Sequence, residues 1–157
     1  MNRSVISLSA AILSVTGFSA QAQPGLTLYD FNRDSIEQVL KEYGFDHDHV
    51  DNGDLPTVNL TTEDGWNYLL ISTACQAAGD CAGLAMVATF NGTEISDSVL
   101  ETFNYGTYFA SAVRIGTSVH VRRYLISDDG IPALAVKTNI TIFESVVDKF
   151  ADDAFGA

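Results

Sequence analysis

The sequence predicts an α+β fold, in which an antiparallel meander sheet is packed by helices on one face. Three observations support this prediction. Apolar residues recur at helical spacing in three segments, short apolar or alternating runs lie between them, and turns rich in Asp, Asn and Gly join the runs. The predicted order is a strand, a helix, a run of hairpins, a second helix, a hairpin and a last helix.

The first helix is the clearest element. Residues 26–30 alternate like a short strand, and Asn32 can then cap a helix because its side-chain oxygen accepts an orphan backbone N–H. Gly44 follows at the position where a left-handed residue ends a helix. Between them, one apolar stripe has the i, i+3, i+4, i+7 spacing of a buried helical face: Ile36, Val39, Leu40 and Tyr43.

A hairpin is predicted next. Asn52 and Gly53 tolerate the positive φ angles of a tight turn, so a strand is expected on each side, over residues 45–51 and 57–61. Residues 66–72 and 84–90 are apolar enough to be neighbouring central strands.

The C-terminal half is predicted to hold two more helices. Residues 94–104 fit a helix, whereas residues 105–116 match neither a helical nor a strand period. Residues 119–126 and 131–140 are predicted as strands joined by an acidic turn that ends at Gly130. Thr141 and Glu144 have the spacing of a capping box, which predicts the start of a last helix.

The N-terminal segment has the pattern of a secretory signal peptide. Arg3 precedes an apolar run, and Ala20 and Ala22 form a small-residue cleavage site. We therefore expect residues 1–22 to be removed after Ala22, and residues 23–157 to form a single domain in the periplasm or outside the cell.

Two cysteines are expected to pair in that oxidising compartment. Five residues separate Cys75 from Cys81, which is too many for the Cys-x-x-Cys motif of a thiol oxidoreductase. Two cysteines are also too few ligands for a structural zinc site. A disulfide would join the ends of two antiparallel strands and act as a structural crosslink.

The composition bounds the partners. The chain has 20 acidic and 8 basic residues and a net charge of −12, which repels phosphate backbones, so nucleic acid is not expected as a partner. After the leader no apolar stretch approaches the roughly 20 residues that span a bilayer, so no membrane span is predicted. The plainest explanation of the acidity is a solvated surface coat.

His47 and His49 are candidate metal ligands. Two residues apart on a strand, both rings point to the same face, where neutral imidazoles can bind zinc or copper. The alternative is a polar hairpin tip with no ligand, because turns are rich in such residues for backbone reasons. Four acids near them could supply oxygen ligands: Asp46, Asp48, Asp51 and Asp54.

A second candidate site is cationic. His120 and Arg122 share a face of the predicted strand and could contact an anion or a partner, and Arg114 is the third member of this group. Structural pairing with acids is the alternative. Tyr105 and Tyr108 could add a recognition surface or pack in the core.

No catalytic signature is present. The sequence lacks a Gly-x-Ser-x-Gly elbow, a Ser-x-x-Lys pair and a His-Glu-x-x-His motif, so we predict a non-enzyme without a cofactor. The alternative that stays open is a small hydrolase or inhibitor with a dispersed site near His120.

In their order, these features resemble the YbjN domain family, also called bacterial sensory-transduction regulators. The likeness runs from Leu26 to Phe150. It is carried by the pair Tyr43 and Gly44, the acidic turn leading from Asn52 to Pro56, Cys75 and Cys81, the aromatic–Asn pair Phe103 and Asn104, the turn at Gly130 and the closing helix. In the family, Trp-Asn is more common than Phe-Asn.

The resemblance implies a fold like that of type III secretion chaperones, whose sheet-and-helix surface binds proteins. It implies no catalytic residues and no cofactor, and it places the chain with exported members that carry a leader and two cysteines. We therefore predict a non-enzymatic, exported binding or regulatory module that acts through protein–protein contacts with an unknown partner, and a homodimer is a further expectation.

Overall fold

The computed structural model describes residues 25–76, 79–106 and 109–156, so the predicted leader lies outside the described residues. The strands are β1 (Thr27–Leu28), β2 (Asp48–His49), β3 (Thr57–Thr61), β4 (Asn67–Cys75), β5 (Cys81–Asn91), β6 (Ser111–Ile115), β7 (Ser118–Ile126) and β8 (Ile131–Pro132). The helices are α1 (Arg33–Tyr43), α2 (Asp97–Tyr105) and α3 (Ala133–Phe155), with a 3₁₀ turn at Gly92–Glu94. None of these helices combines the length and hydropathy needed to cross a bilayer.

Six strands form one antiparallel sheet in the order β2-β3-β4-β5-β7-β6, and β1 pairs with β8 in a separate two-stranded ribbon. The predicted α+β class is confirmed. Strands β2 to β5 follow one another as a meander. After α2 the chain enters the sheet at its edge as β6 and returns as β7 beside β5.

Alternation along the strands places one row of side chains under the helices. Phe150 of α3 is fully buried between the sheet and α2, with its ring 5.0 Å from Phe90 and 5.1 Å from Phe103. Two turns before Phe150 on α3, the Phe143 ring packs on the sheet, with its centre 5.6 Å from that of the Tyr68 ring. The largest fully buried side chains come from both layers: Tyr68, Phe31, Phe103, Phe143, Phe150, Leu40, Leu60, Leu70, Leu84 and Met86.

Helix α1 begins and ends where the sequence predicts. The Asn32 side chain accepts a 2.9 Å hydrogen bond from the Ser35 amide, and Gly44 takes the left-handed conformation with φ 73°. Ile36, Val39 and Leu40 are buried, as the apolar stripe predicts.

The predicted strand over residues 131–140 is wrong. Only Ile131 and Pro132 are extended, and they pair with β1 rather than with β7. Helix α3 begins at Ala133, so the capping box predicted at Thr141 falls inside a helix. The reason is the spacing of the buried residues, which follows a helical period throughout: Ala133, Val136, Ile140, Phe143, Val147, Phe150 and Ala151.

The central hairpin is crosslinked where the sequence analysis expects it. Cys75 ends β4 and Cys81 begins β5, the two residues face each other in the ladder, and their sulfurs form a disulfide. Of the residues 105–116 that fit neither period, Ser111–Ile115 form edge strand β6, which turns into β7 at Gly116 with φ 60°.

Candidate functional site

One face of the six-stranded sheet carries no helix of the described chain; we call it the open face. Its side chains alternate with the buried row, so they come from every second residue of each strand. Tyr124 is 58% exposed and Ile126 is 64% exposed at the end of β7. Toward the sheet centre the open face is half-buried and apolar, and the edge adds exposed aliphatic groups: Leu69, Ile71, Val87, Val113 and Ile115.

His120 and Arg122 lie side by side on the open face, as their spacing predicts. His120 stands between Thr89 of β5 and Val113 of β6 in the ladder, and its Nδ1 is 3.3 Å from the Thr89 hydroxyl. Burial lowers the pKa of His120, and the charge of Arg122 lowers it further. Arg122 forms no hydrogen bond or ion pair with another described residue, so its charge is directed to solvent or to a partner.

Arg114 is placed on the other face, apart from that pair. Its guanidinium donates to the carbonyls of Gly92 and Ile95, the latter at 2.6 Å, and forms a 3.0 Å ion pair with Asp97. These bonds fix the connection between β5 and α2. Arg114 therefore does not join His120 and Arg122 in one site.

Of the two aromatic members of the predicted binding group, only Tyr105 lies within the described residues. Tyr105 ends α2 and is 89% exposed, whereas Tyr108 lies outside the described residues.

Arg123, next to Arg122 in the chain, points to the helix side of the sheet. Its Nε donates to Asn139 at 3.0 Å, and another guanidinium nitrogen donates to the Phe109 carbonyl at 2.8 Å.

No acid among the described residues is bonded to His120. Within residues 25–76, 79–106 and 109–156, its hydrogen-bond partner is the Thr89 hydroxyl and its charged neighbour is Arg122. A hydrolytic site of the histidine-and-acid kind needs a carboxylate to orient the imidazole. The arrangement around His120 offers a cationic contact and not such a relay.

A second polar cluster brings His47 and His49 against helix α1. The Nε2 atoms of His47 and His49 lie 2.8 Å and 3.2 Å from the same oxygen, Oε2 of Glu37. One ligand atom from each residue lies within 4.8 Å of the others. The sequence analysis missed Glu37, because its contact with β2 depends on how the hairpin packs on α1. Its only local signal is its place beside the buried stripe.

Hydrogen bonds control the charges in this cluster. A bond from Lys41 to Glu37, 2.7 Å long, and the contact with His47 lower the pKa of Glu37 to about 2. Burial opposes the charged form of His47, but hydrogen bonds to the Phe45 carbonyl and to Glu37 outweigh it and raise the pKa of His47. At neutral pH the Glu37 carboxylate is therefore ionised; it accepts a hydrogen bond from His47 and lies 3.2 Å from Nε2 of His49.

Beside His47, residues of the β2–β3 region and of α3 line a cleft of about 760 Å³. Four acids contribute to its lining: Asp46, Asp48, Glu63 and Glu144. Glu144 accepts a 2.8 Å hydrogen bond from the hydroxyl of the buried Tyr68. Burial, more than neighbouring charge, raises the pKa of Glu144. The cleft presents negative charge and favours cations.

The family is decided by comparison with known proteins. A sequence model of the YbjN family, described as "Putative bacterial sensory transduction regulator", matches residues 32–155. The chain belongs to the YbjN family. No curated protein sequence matches this chain. The family predicted by resemblance is thus confirmed, and its description gives a regulator rather than an enzyme.

A solved structure supports the YbjN fold. The crystal structure of YbjN from E. coli, described as "a putative transcription regulator", superimposes with a TM-score of 0.58 at 12% sequence identity. The match covers 80% of this chain and 91% of the E. coli chain. At that identity the likeness concerns the fold.

The structure gives a physical role to the aromatic–Asn pair on which the YbjN resemblance partly rests. Phe103 is buried against Phe150. The next residue, Asn104, bonds edge strand β6, since its amide donates to the Ala112 carbonyl and its side-chain oxygen accepts from the Ala112 amide, both at 2.8 Å. Asn104 therefore occupies backbone groups that an added strand would otherwise use.

Proposed function

We propose that this YbjN-family protein is an exported, non-enzymatic regulatory module that binds a protein partner through its open face. The observation that carries the proposal is the sheet's asymmetry: the helices cover one face, and the other keeps apolar side chains beside Arg122, which has no ion-pair partner among the described residues. Exposed apolar patches rimmed by polar residues mark interaction surfaces.

The chemistry of the open face specifies the partner. Arg122 puts positive charge beside His120 on a chain with a net charge of −12. A complementary surface therefore carries apolar groups for Tyr124 and Ile126 and a carboxylate for Arg122, whose planar guanidinium suits a bidentate acid. The same net charge disfavours nucleic acid as a partner of this chain, although the E. coli protein is described as a putative transcription regulator.

The sheet edge next to this face is a poorer docking site. Asn104 already bonds both backbone groups of Ala112 on β6. Strand addition at that edge would require these bonds to be exchanged, whereas docking on the open face requires no rearrangement of the sheet.

Export is part of the proposal. It is supported by the leader pattern of residues 1–22 and by the Cys75–Cys81 disulfide, which suits an oxidising compartment. Fractionation of cells followed by mass spectrometry should find the protein outside the cytosol with Gln23 as its first residue. An intact leader on the mature pool, or a cytosolic location, contradicts this part.

The binding test compares variants with a matched control. Ile126→Asp and Arg122→Glu change the open face, whereas Leu134→Asp changes an equally exposed apolar residue, 61% exposed, on α3. Each protein is used as bait in extracts from its own compartment, with quantitative mass spectrometry of the bound fraction. A partner retained by the wild type and by Leu134→Asp but lost with both open-face variants supports the proposal. Identical retention by all four, or by none, contradicts it.

Self-association is measured in parallel. Sedimentation equilibrium of the same four proteins distinguishes a separate partner from a second copy of the chain. A dimer that only the open-face variants abolish would assign the face to a homodimer in place of a separate partner.

A further inference from the structure

We infer that Glu37, His47 and His49 form a binding site for one divalent transition-metal ion of the Zn²⁺ or Cu²⁺ kind, which neither the family nor the proposed function assigns. Two imidazole nitrogens and one carboxylate oxygen converge from two elements that are separate in sequence: helix α1 and the start of the β2 hairpin. Two histidines and one acid are a frequent donor set for such ions.

The two separations from Glu37 suit that ion size, and all three ligand atoms lie within 4.8 Å of one another. Metal–ligand distances of about 2.0–2.2 Å place neighbouring ligand atoms roughly 2.8–3.6 Å apart in octahedral or tetrahedral geometry. The observed distances from Glu37 Oε2 are 2.8 Å to His47 Nε2 and 3.2 Å to His49 Nε2. Side-chain shifts of a few tenths of an ångström at Glu37 would open these two separations for an ion between the three groups.

The surroundings of His47 orient it as a ligand. Its Nδ1 donates to the Phe45 carbonyl at 2.9 Å, which leaves Nε2 directed at the cluster. A backbone carbonyl on the far ring nitrogen is the usual second contact of a metal-binding histidine. On the carboxylate, Lys41 holds Oε1 at 2.7 Å, so Oε2 is the oxygen turned toward the two imidazoles.

A hydrogen bond to His49 competes with metal binding. The Arg33 guanidinium lies 3.3 Å from His49 Nδ1 and donates to it. That bond keeps the His49 proton on Nε2, the atom that lies 3.2 Å from Oε2 of Glu37. A bound ion needs the lone pair of that Nε2, so Arg33 competes with the metal, and the exposed arginine can swing into solvent.

The donor set also excludes the hard cations. Ca²⁺ and Mg²⁺ prefer oxygen ligands, and two imidazole nitrogens contribute little to their binding. The acids of the adjoining cleft, among them Asp46 and Asp48, attract cations in general, but they do not select among them. Selectivity for Zn²⁺ and Cu²⁺ over Ca²⁺ is thus a property of His47 and His49.

The test is calorimetric titration of the untagged protein with Zn²⁺, and with Ca²⁺ as a comparison. The expected result is one ion per chain with a Kd below about 100 μM for Zn²⁺ and none for Ca²⁺. His47→Ala, His49→Ala and Glu37→Gln should each weaken Zn²⁺ binding at least about tenfold. His120→Ala removes the remaining histidine, which lies on the open face, and should change nothing. Arg33→Gln should tighten binding.

A spectroscopic readout keeps the test independent of folding defects. In the wild type, Zn²⁺ should shift the imidazole NMR signals of His47 and His49 and leave those of His120 in place. The inference is overturned if no binding is found below about 100 μM, if His120→Ala weakens it as much as the cluster variants, or if the His120 signals shift instead. In each of those cases the cluster only ties the hairpin to α1.

Discussion

The bond between Asn104 and edge strand β6 allows a quantitative test of the fold. Asn104→Ala removes two 2.8 Å hydrogen bonds to the backbone of the buried residue Ala112. The strand itself stays paired to β7 through Ser111–Ile115. The change therefore removes the lock on the edge and leaves the ladder intact.

The magnitude follows from three terms. Two neutral hydrogen bonds contribute about 0.5–1.5 kcal/mol each to the free energy of unfolding. Water can replace part of that at an exposed edge, and alanine gains roughly 0.5 kcal/mol over asparagine as a helix former in α2. We expect a net loss of about 1 kcal/mol, or a fall in Tm of roughly 3–5 °C.

Urea denaturation followed by circular dichroism measures that loss, and hydrogen exchange of the Ala112 amide localises it. Glu101→Ala, an exposed change on the same helix, is the matched control and should stay within about 0.5 kcal/mol of the wild type. The freed edge should also make Asn104→Ala more prone to strand-to-strand association at high concentration. An unchanged unfolding free energy together with unchanged Ala112 exchange would refute the reasoning.

Three further outcomes are expected from urea denaturation. Replacing Cys75 and Cys81 by Ser should cost about 2 kcal/mol, because the unfolded chain loses a closed loop of about seven residues, and no difference from the wild type would show that the crosslink is dispensable. Phe150→Ala should cost about 3–5 kcal/mol and Phe150→Leu less, since the ring is fully buried, and a loss below about 1 kcal/mol for the alanine variant contradicts the packing. Burial raises the pKa of Glu144 above its unfolded value of 4.5, so folding favours its protonated form and wild-type stability falls as the pH rises through the raised pKa. Glu144→Gln keeps an acceptor for Tyr68 without that titration, so its stability relative to the wild type should increase between about pH 4 and about pH 7, and an equal difference at both pH values contradicts the shift.

Local signals allow much of the fold to be predicted. The bounds of α1 depend on the Asn32 cap and on Gly44, which act within one turn of the chain, so sequence alone suffices for them. Strand Thr57–Thr61 has the bounds that the sequence predicts, because the turn at Gly53, with φ 63°, and the alternation that follows are equally local.

The start of α3 could not be predicted in that way. Residues 131–140 include β-branched and polar side chains that favour strands and turns. Inside the helix the polar ones bond back to the carbonyls four residues earlier, Thr138 to Leu134 and Asn139 to Ala135, both at 2.8 Å. Packing of the buried stripe against the sheet and α1 then decides the conformation, and that packing is a tertiary contact.

In the candidate sites, too, local spacing is predictable and tertiary contacts are not. The spacing of His47 and His49 predicts that their rings share a side, but the third member of the cluster, Glu37, is ten residues from His47 and reaches it only after the hairpin packs on α1. Likewise, the spacing of His120 and Arg122 places them together, whereas the face taken by Arg114 depends on the pairing of β6 with β7.

The use of arginine across the described chain distinguishes structural cations from the one left for a partner. Arg114 and Arg123 each give their guanidinium to carbonyl and side-chain oxygens of this chain, and both lie on the helix side of the sheet. Arg33 is bonded to His49. Arg122 alone among the described arginines lacks such a partner, although it lies in a chain with 20 acids. A solvated arginine at a random surface position would find acids nearby in so acidic a protein, whereas the described neighbours of Arg122 on the open face include no acid: Val87, Ser111, His120 and Tyr124. An acid supplied by another molecule therefore gains both the charge of Arg122 and the exclusion of water by the side chains around it.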